Sequence, residues 1–368
     1  MKKRSCVILA GAAAARQVRA EGLRQEQIST LVGASGGPKW LVISQLDRVL
    51  MGEFFRDRQH PIATVGSSIG SFRNMCYAMD RPLEALEALE YGYIHQAYDS
   101  GKPTPAEITT TAEQILQDVL GDEGAAQVAA NRIWQSHFVT VRGRGPLASE
   151  RRAVLAPALL ASALANAFSR RSLSAFWDRV VFHAGDSPTV KFDSLRTVNI
   201  ALSRENVRSS VLASGSIPLV MTGVQNPHGA PLGNYRDGGI TDYHFDLRFR
   251  HPEGLALYPH FFPYMVPGWF DKSLTWRWVR GGAMQNVLLL APSPAFVASL
   301  PFGKIPDRDD FYQLNTEERL KYWHAVVDAS RRVAEDFFEM WQQGTIAEHM
   351  IEVGRDDVLH KLDRVSAA

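Results

Sequence analysis

The first third of the chain alternates between two patterns of apolar residues. Short apolar and β-branched runs at residues 30–32 and 62–65 predict buried strands. After each run, glycines lead into a segment whose apolar residues recur at helical spacing, the first from Pro38 and the second beyond Gly66. A strand, turn and helix unit that occurs twice predicts an α/β fold, with a mostly parallel sheet covered by helices.

The middle of the chain, from about residue 100 to 193, has a mostly helical pattern. It contains an apolar stretch, residues 154–168, with arginines on both sides. Two interpretations stay open for this stretch. It is either a lid or acyl-chain wall that can touch a lipid surface, or a buried helix with solvated ends.

The last part of the chain carries three further signals. Residues 197–202 predict a strand, and residues 218–239, rich in proline and glycine, predict loop and turn. Asn315 followed by Glu318 is typical of a capped helix start, and the apolar pattern after it ends at Gly344. We expect a catalytic domain over residues 1–300 and a helical C-terminal extension, residues 301–368, packed on it.

Composition narrows the function classes. Of 368 residues, 45% are hydrophobic and 21% charged, which favours a globular protein with a large core. The net charge of +1 gives no field to attract nucleic acid, so any lipid contact has to be local. The two cysteines lack metal-ligand spacing and any redox motif, and we expect neither a metal nor a cofactor.

The N-terminus allows two interpretations. Basic residues followed by apolar residues 6–15 imitate a signal peptide, whereas residues 6–9 also predict a buried strand that leads to a turn at Gly11. We expect the strand and a cytoplasmic location. No run of residues reaches the roughly 20 apolar residues that a transmembrane helix needs.

Two G-x-S-x-G patterns occur, one around Ser35 and one from Gly66 to Gly70 around Ser68. A nucleophile elbow needs a strand that ends abruptly, a serine at its apex and a helix immediately after it. Flanking glycines are required because side chains there would collide with neighbouring backbone. Ser68 meets these conditions and is the predicted nucleophile.

The glycine pair Gly36-Gly37 predicts an oxyanion loop. Acyl transfer needs backbone N–H donors aimed at the developing negative charge, and glycines let the main chain approach the substrate. Pro38 has no N–H, and Lys39 either supports the loop or adds positive potential.

The predicted base is Asp237, which precedes Gly238 and Gly239. Two glycines after a carboxylate indicate a tight turn, and burial beside the serine would make the aspartate a stronger base. The 11 histidines carry no distinguishing motif; His228, His244, His251 and His260 all lie in loop-like contexts.

These motifs, in this order, resemble the patatin-like phospholipases. A glycine-rich oxyanion loop, the elbow and an Asp-Gly-Gly motif follow one another, and Ser214 lies in an Ala-Ser-x-x-x-Pro segment of the kind that packs beneath the site in that family. The resemblance covers about residues 30–242. It implies a three-layer fold and a Ser-Asp dyad without histidine. The chain departs from the family at Ser35, Pro38 and Trp40 in the oxyanion loop, and it lacks the Asn and Pro that commonly follow the Asp-Gly-Gly motif.

The resemblance implies an enzyme that cleaves lipid acyl esters, phospholipid or other, through an acyl-enzyme intermediate. Its partner would be a lipid or acyl-ester substrate, with possible peripheral contact to a membrane. Two alternatives stay open. One is a conventional α/β-hydrolase in which Ser35 or Ser68 works with a histidine, and the other is a catalytically silent lipid-binding protein.

Overall fold

The computed structural model describes residues 4–98, 103–185, 190, 192, 195–246 and 254–362. These residues form strands β1 (Cys6–Gly11), β2 (Ile28–Gly33), β3 (Ile62–Ser67), β4 (Trp134–Gly143), β5 (Trp177–His183), β6 (Thr197–Ala201), β7 (Val224–Gln225), β8 (Asn234–Asp237), β9 (Leu255–Pro259), β10 (Val287–Pro292) and β11 (Ile351–Val353). His251 and the N-terminal lysines lie outside the described residues.

Nine of these strands form one continuous sheet in the order β11-β1-β10-β9-β2-β3-β4-β5-β6. The pairing is parallel except between β1 and β10 and between β4 and β5. β8 pairs antiparallel with β4, and β7 pairs antiparallel with β8. The expected mixed α/β fold with a mostly parallel central sheet is confirmed.

The described α-helices lie mostly between the strands. They are α1 (Ala12–Glu21), α2 (Ser44–Val49), α3 (Ile69–Tyr77), α4 (Pro82–His95), α5 (Pro105–Leu120), α6 (Gly124–Ala130), α7 (Arg152–Phe168), α8 (Leu173–Phe176), α9 (Arg204–Gly215), α10 (Pro294–Ala298), α11 (Asp310–Gln313), α12 (Thr316–Gln342) and α13 (Ile346–His349). Every residue of β1, β3, β9 and β10 is buried, so both faces of these strands are covered.

Most of the predicted elements are present, but the segment from about residue 100 to 193, expected to be mostly helical, also contains the central strands β4 and β5. β2, β3 and β6 contain the expected strand residues, and Asn315 and Glu318 form a reciprocal capping box at the start of α12. The helix expected after Pro38 is irregular. It begins as a 3₁₀ helix, Gly37–Ile43, continues as α2 and ends in a π-helical turn, Leu50–Phe54.

The prediction of loop throughout residues 218–239 is wrong, because this segment contains β7 and β8. β8 is only four residues long and follows a proline- and glycine-rich passage, so its sequence gives no alternating pattern to detect. The strand forms because the edge of β4 offers backbone groups that need hydrogen-bond partners.

Residues 301–362 contribute more than helices. Ile351–Val353 forms β11, which pairs with β1 at the edge of the sheet, so β1 is a buried strand between β10 and β11. Trp323 and Phe337 of α12 belong to the same apolar core cluster as the residues of β1. The division of the chain at residue 300 stays a prediction.

Helix α7 contains the apolar stretch whose role was left open. Leu155 and Leu159 face a small second core cluster, while Leu160, Leu164 and Phe168 are exposed, the last to 91%. None of its residues lines the pocket described below, so it does not form a wall of that pocket. None of the described helices combines the length and apolar character that a bilayer span requires.

Candidate active site

Ser68 lies at the apex of a sharp turn between β3 and α3. Its φ of 53° and ψ of −131° are a strained combination for a residue with a side chain. A Cβ atom on Gly70 would overlap the carbonyl oxygen of Gly33, and one on Gly66 would lie 2.6 Å from the carbonyl oxygen of Gly70. The glycines therefore let α3 start directly against the ends of β2 and β3, as the elbow interpretation requires.

Asp237 reaches this turn because β8 pairs with β4 directly beyond the point where β3 ends. The last pair between β3 and β4 is Ser67 with Val139, and the next residue of β4, Thr140, pairs with Asp237. The two strands run in opposite directions, so their C-terminal ends meet.

The structure brings the predicted nucleophile and base together. Ser68 Oγ donates a hydrogen bond to Asp237 Oδ2 at 2.8 Å, and both residues are buried. The other carboxylate oxygen, Oδ1, accepts a hydrogen bond from the N–H of Gly239 at 2.7 Å. A Cβ on Gly238 would overlap the carbonyl oxygen of Val139. Both glycines after the aspartate are thus needed to fix the orientation of its carboxylate.

The segment that ends α9 holds both residues from below. The backbone N–H of Ser68 donates to the carbonyl oxygen of Ser214, and that of Asp237 donates to the carbonyl oxygen of Ser216, each at 3.0 Å. Ser214 Oγ in turn donates to the carbonyl oxygen of Val139 at 2.6 Å. The Ala-Ser-x-x-x-Pro segment therefore contacts the site as expected from its position in the chain.

The glycine loop, Gly36-Gly37, lies beside Ser68 and carries backbone N–H groups that are free to act as donors. Gly36, Gly37 and Ser68 line one pocket, and neither glycine N–H has an acceptor among the described residues. Gly37 has φ +58°, a conformation that favours glycine, and a Cβ on Gly36 would overlap the ring of Phe261. Ile69 begins α3 and also lines the pocket, so its N–H at the helix start is a further candidate donor that the sequence analysis did not name.

Lys39 and Ser35 both have structural contacts. Lys39 Nζ forms an ion pair with Asp307, which ties the glycine loop to the segment before α11. Ser35 Oγ shares a hydrogen bond of 2.7 Å with Ser67 Oγ, and the Ser35 residue is only 1% exposed. No described carboxylate or histidine bonds to the Ser35 hydroxyl, so its surroundings do not suit a nucleophile.

The described histidines do not serve the serine. His244 Nδ1 accepts the N–H of Val266 at 3.1 Å, and His260 Nδ1 accepts that of Phe262 at 2.8 Å. Burial lowers the pKa of His260 to about 3 and that of His244 well below its ordinary value, so both rings are neutral. His228 is exposed. In the described part of the chain, no histidine hydrogen bonds to Ser68 or Asp237.

Two buried ion pairs hold the framework of the site. Arg179 binds Asp242 through two hydrogen bonds of 2.6 and 2.8 Å, and this fixes the turn that follows Asp237. Arg73 of α3 binds Asp47 of α2 through hydrogen bonds of 2.7 and 2.6 Å. The second pair connects the helix after the nucleophile to the helix after the glycine loop.

The electrostatic surroundings make Asp237 a better base. Burial raises its pKa above the ordinary value, while Arg308, the Ser68 hydroxyl, the N–H of Gly239 and Lys272 oppose the rise. A raised pKa strengthens the affinity of the carboxylate for the serine proton.

Ser68 opens into a pocket of about 510 Å³. One part of the lining is apolar and includes Phe72, three residues on one face of α5 (Ile108, Ala112, Ile115), Val220 and Met221. Another part is charged and includes Lys39, Lys272, Asp307, Arg308, Asp309 and Arg319. The sequence analysis did not name Lys272 or Arg308, and neither residue stands in a recognisable motif. The lining can hold an apolar chain and a polar group together.

No protein-family model matches the chain, and no curated protein is significantly similar to it in sequence. Among the described residues, no group of three or more histidine, cysteine, aspartate or glutamate side chains could hold a metal ion.

Proposed function

We propose that the protein is a serine acyl hydrolase that cleaves carboxylic esters of lipids through a Ser68-Asp237 dyad. The observation that carries the proposal is the hydrogen bond of 2.8 Å from Ser68 Oγ to Asp237 Oδ2, at a strained turn beside unpaired glycine N–H groups. A hydroxyl becomes an effective nucleophile only when a base receives its proton, and Asp237 is the only described carboxylate that bonds to Ser68. The resemblance to patatin-like phospholipases points to the same reaction.

The reaction proceeds in two halves. Ser68 Oγ attacks the ester carbonyl carbon while its proton passes to Asp237 Oδ2, and the resulting oxyanion accepts hydrogen bonds from the N–H groups of Gly36 and Gly37. Collapse of this intermediate breaks the bond to the alcohol, which leaves with the proton from Asp237, and the acyl group stays on Ser68. Water then attacks the acyl-enzyme, Asp237 accepts its proton, and the acid leaves as the Ser68 hydroxyl is restored.

The pocket supports a lipid ester as the substrate class. Its apolar lining can accept an acyl chain, and the net charge of +1 gives no long-range field to attract nucleic acid.

A fluorophosphonate probe tests the proposal directly, because it forms a covalent bond only with an activated serine. We expect labelling of the purified protein, with the adduct mapped by mass spectrometry to Ser68 and lost in Ser68→Ala. Hydrolysis of p-nitrophenyl esters of increasing chain length would then measure the depth of the apolar part. Absence of labelling in folded protein would favour the silent lipid-binding alternative, and labelling at Ser35 would contradict the assigned nucleophile.

A further inference from the structure

Two positively charged side chains of the pocket have no ionic partner among the described residues. Lys39 is paired with Asp307, and Arg319 donates to the carbonyl oxygens of Ile94 and Gln96. Arg308 and Lys272 also line the pocket, yet within the described ranges neither forms an ion pair or a side-chain hydrogen bond. The exposed carboxylate of Asp309 lines the same pocket without pairing with them.

Both side chains lie close to the reacting groups. The Nε atom of Arg308 is 3.1 Å from the position that a Cβ on Gly37 would occupy, so the guanidinium borders the glycine loop. The ammonium of Lys272 is 4.2 Å from the ring centroid of Tyr243, a buried residue of the turn after Asp237. Arg308 and Lys272 both act electrostatically on the carboxylate of Asp237.

The carboxylate of Asp237 offsets only part of the repulsion between the positive charges at this end of the pocket. Burial of the ammonium, together with repulsion from Arg308 and Lys39, lowers the pKa of Lys272 to about 7. Lys272 is an exposed residue as a whole, but this shift reflects the surroundings of its charged end, which lies against Tyr243. An anion bound between the two side chains would relieve the repulsion.

We propose that Arg308 and Lys272 form an anion-binding subsite beside the glycine loop, which receives a phosphate group carried by the ester substrate. A guanidinium can bind two phosphate oxygens at once, and an adjacent ammonium matches the second charge of a phosphate monoester. The apolar part of the pocket receives the acyl chain of the same molecule. This assignment rests on the proposed function. It adds that the alcohol part of the ester carries a phosphate group.

The first test compares two soluble esters that share a decanoyl chain and differ only in the alcohol, glycerol phosphate or glycerol. The readout is kcat/KM for the glycerol phosphate ester divided by kcat/KM for the glycerol ester. An effect of a variant on the dyad changes both values equally and leaves this ratio unchanged. We expect Arg308→Gln to lower this ratio by about ten- to a hundredfold, mainly through KM, because a hydrogen bond between charged groups is lost. Lys272→Gln should lower it less. Arg16→Gln, which removes an exposed positive charge on α1, is the matched control and should leave it unchanged.

An unchanged ratio in Arg308→Gln would overturn the proposal. If both esters slowed equally, with kcat rather than KM affected, Arg308 would be a donor to the oxyanion and not part of a phosphate subsite.

The second test needs no turnover. In a Ser68→Ala background, calorimetry measures the binding of decyl phosphate and of inorganic phosphate. We expect decyl phosphate to bind and its Kd to rise about tenfold or more in Arg308→Gln, with no change in Arg16→Gln. Binding that depends on Arg308 in a protein without esterase activity would support the subsite while the hydrolase proposal failed. Inorganic phosphate that binds as tightly as decyl phosphate would assign the site to a free anion and overturn its role in substrate recognition.

Discussion

Ser67 and Asp237 occupy successive pairing positions along one edge of β4, although they belong to strands that run in opposite directions. Ser67 pairs with Val139 at the end of β3, and Asp237 pairs with Thr140 at the end of β8. The turn that presents Ser68 and the turn that follows Asp237 therefore face each other across the end of the sheet. Because backbone pairing in the sheet sets the position of both side chains, substitution of the carboxylate should change the chemistry more than the fold.

Asp237→Asn should abolish ester hydrolysis while leaving the fold intact. The amide keeps nearly the same shape but cannot accept the serine proton, and loss of a member of a catalytic unit costs on the order of 10⁴- to 10⁶-fold in kcat. Steady-state hydrolysis of a p-nitrophenyl ester measures the loss, and circular dichroism verifies the fold. His228→Gln, at an exposed histidine, should retain full activity. Near-normal turnover in Asp237→Asn would mean that another group is the base.

Gly37→Ala should slow the chemical step through the oxyanion loop. Gly37 has φ +58°, and Gly121, with φ +54° and no atom within 4 Å of an added Cβ, offers a matched control for backbone strain. Each alanine should cost about 1 to 3 kcal/mol in the free energy of unfolding, measured in urea, because each position has a sparsely populated backbone conformation. Only Gly37→Ala should also lower kcat, by on the order of 10²-fold, because it displaces an N–H donor. Equal kcat values in the two variants would remove Gly37 from the oxyanion site.

Arg308→Gln should move the acidic limb of the pH profile to higher pH. The active form of Asp237 is the carboxylate, and Arg308 and Lys272 both stabilise that charged form against the effect of burial. Without the guanidinium the pKa of Asp237 rises further, so the carboxylate is lost at a higher pH as the solution is acidified. The kcat/KM profile of an uncharged ester measures this shift, which Arg16→Gln should not produce. A shift toward lower pH would contradict the assignment of Asp237 as the base.

Asp47→Asn should destabilise the protein by about 3 to 5 kcal/mol, because it leaves the guanidinium of Arg73 buried without its countercharge. The double variant Asp47→Leu with Arg73→Met removes both charges and should recover most of this loss. Urea unfolding measures both values. Glu84→Gln breaks the exposed pair of Glu84 with Arg81, the N-cap residue of α4, and should cost less than about 1 kcal/mol. A loss of similar size in Glu84→Gln and Asp47→Asn would show that burial of the pair has no special effect.

The sequence alone was sufficient to predict those structural features whose residue pattern lies within a few neighbouring positions. The run that forms β3, the glycines around Ser68 and the capping box of Asn315 all express their geometry within a few residues, so the strand, the sharp turn and the helix start were predicted correctly. The meeting of Ser68 with Asp237 was a different kind of prediction. It came from the two glycines after Asp237 and from the order of motifs in a resembling family, because no periodicity relates residues that are 169 positions apart.

The sequence alone was not sufficient to predict features that depend on contacts between distant parts of the chain. β8 exists because of the free edge of β4, not because of its own four residues. Arg308 stands among aspartates at 307, 309 and 310, which is also what an exposed charged loop would look like. Only the packing of that segment against the glycine loop, through the ion pair of Lys39 with Asp307, gives Arg308 a position beside Gly37. The N–H of Ile69 could have been found, since the residue after an elbow serine is a known source of an oxyanion donor.

The pocket draws its walls from residues as far apart as Gly36 and Arg319. During translation the elbow serine therefore emerges long before its base, and the base emerges before the segment that carries Arg308. Ribosomes add roughly 5 to 20 residues per second, so a delay on the order of ten seconds or more separates the synthesis of Ser68 from that of Arg308. A nascent chain thus carries the Ser68 hydroxyl before its pocket exists, and the proposed dyad and its complete pocket can assemble only after Arg319 has been synthesised.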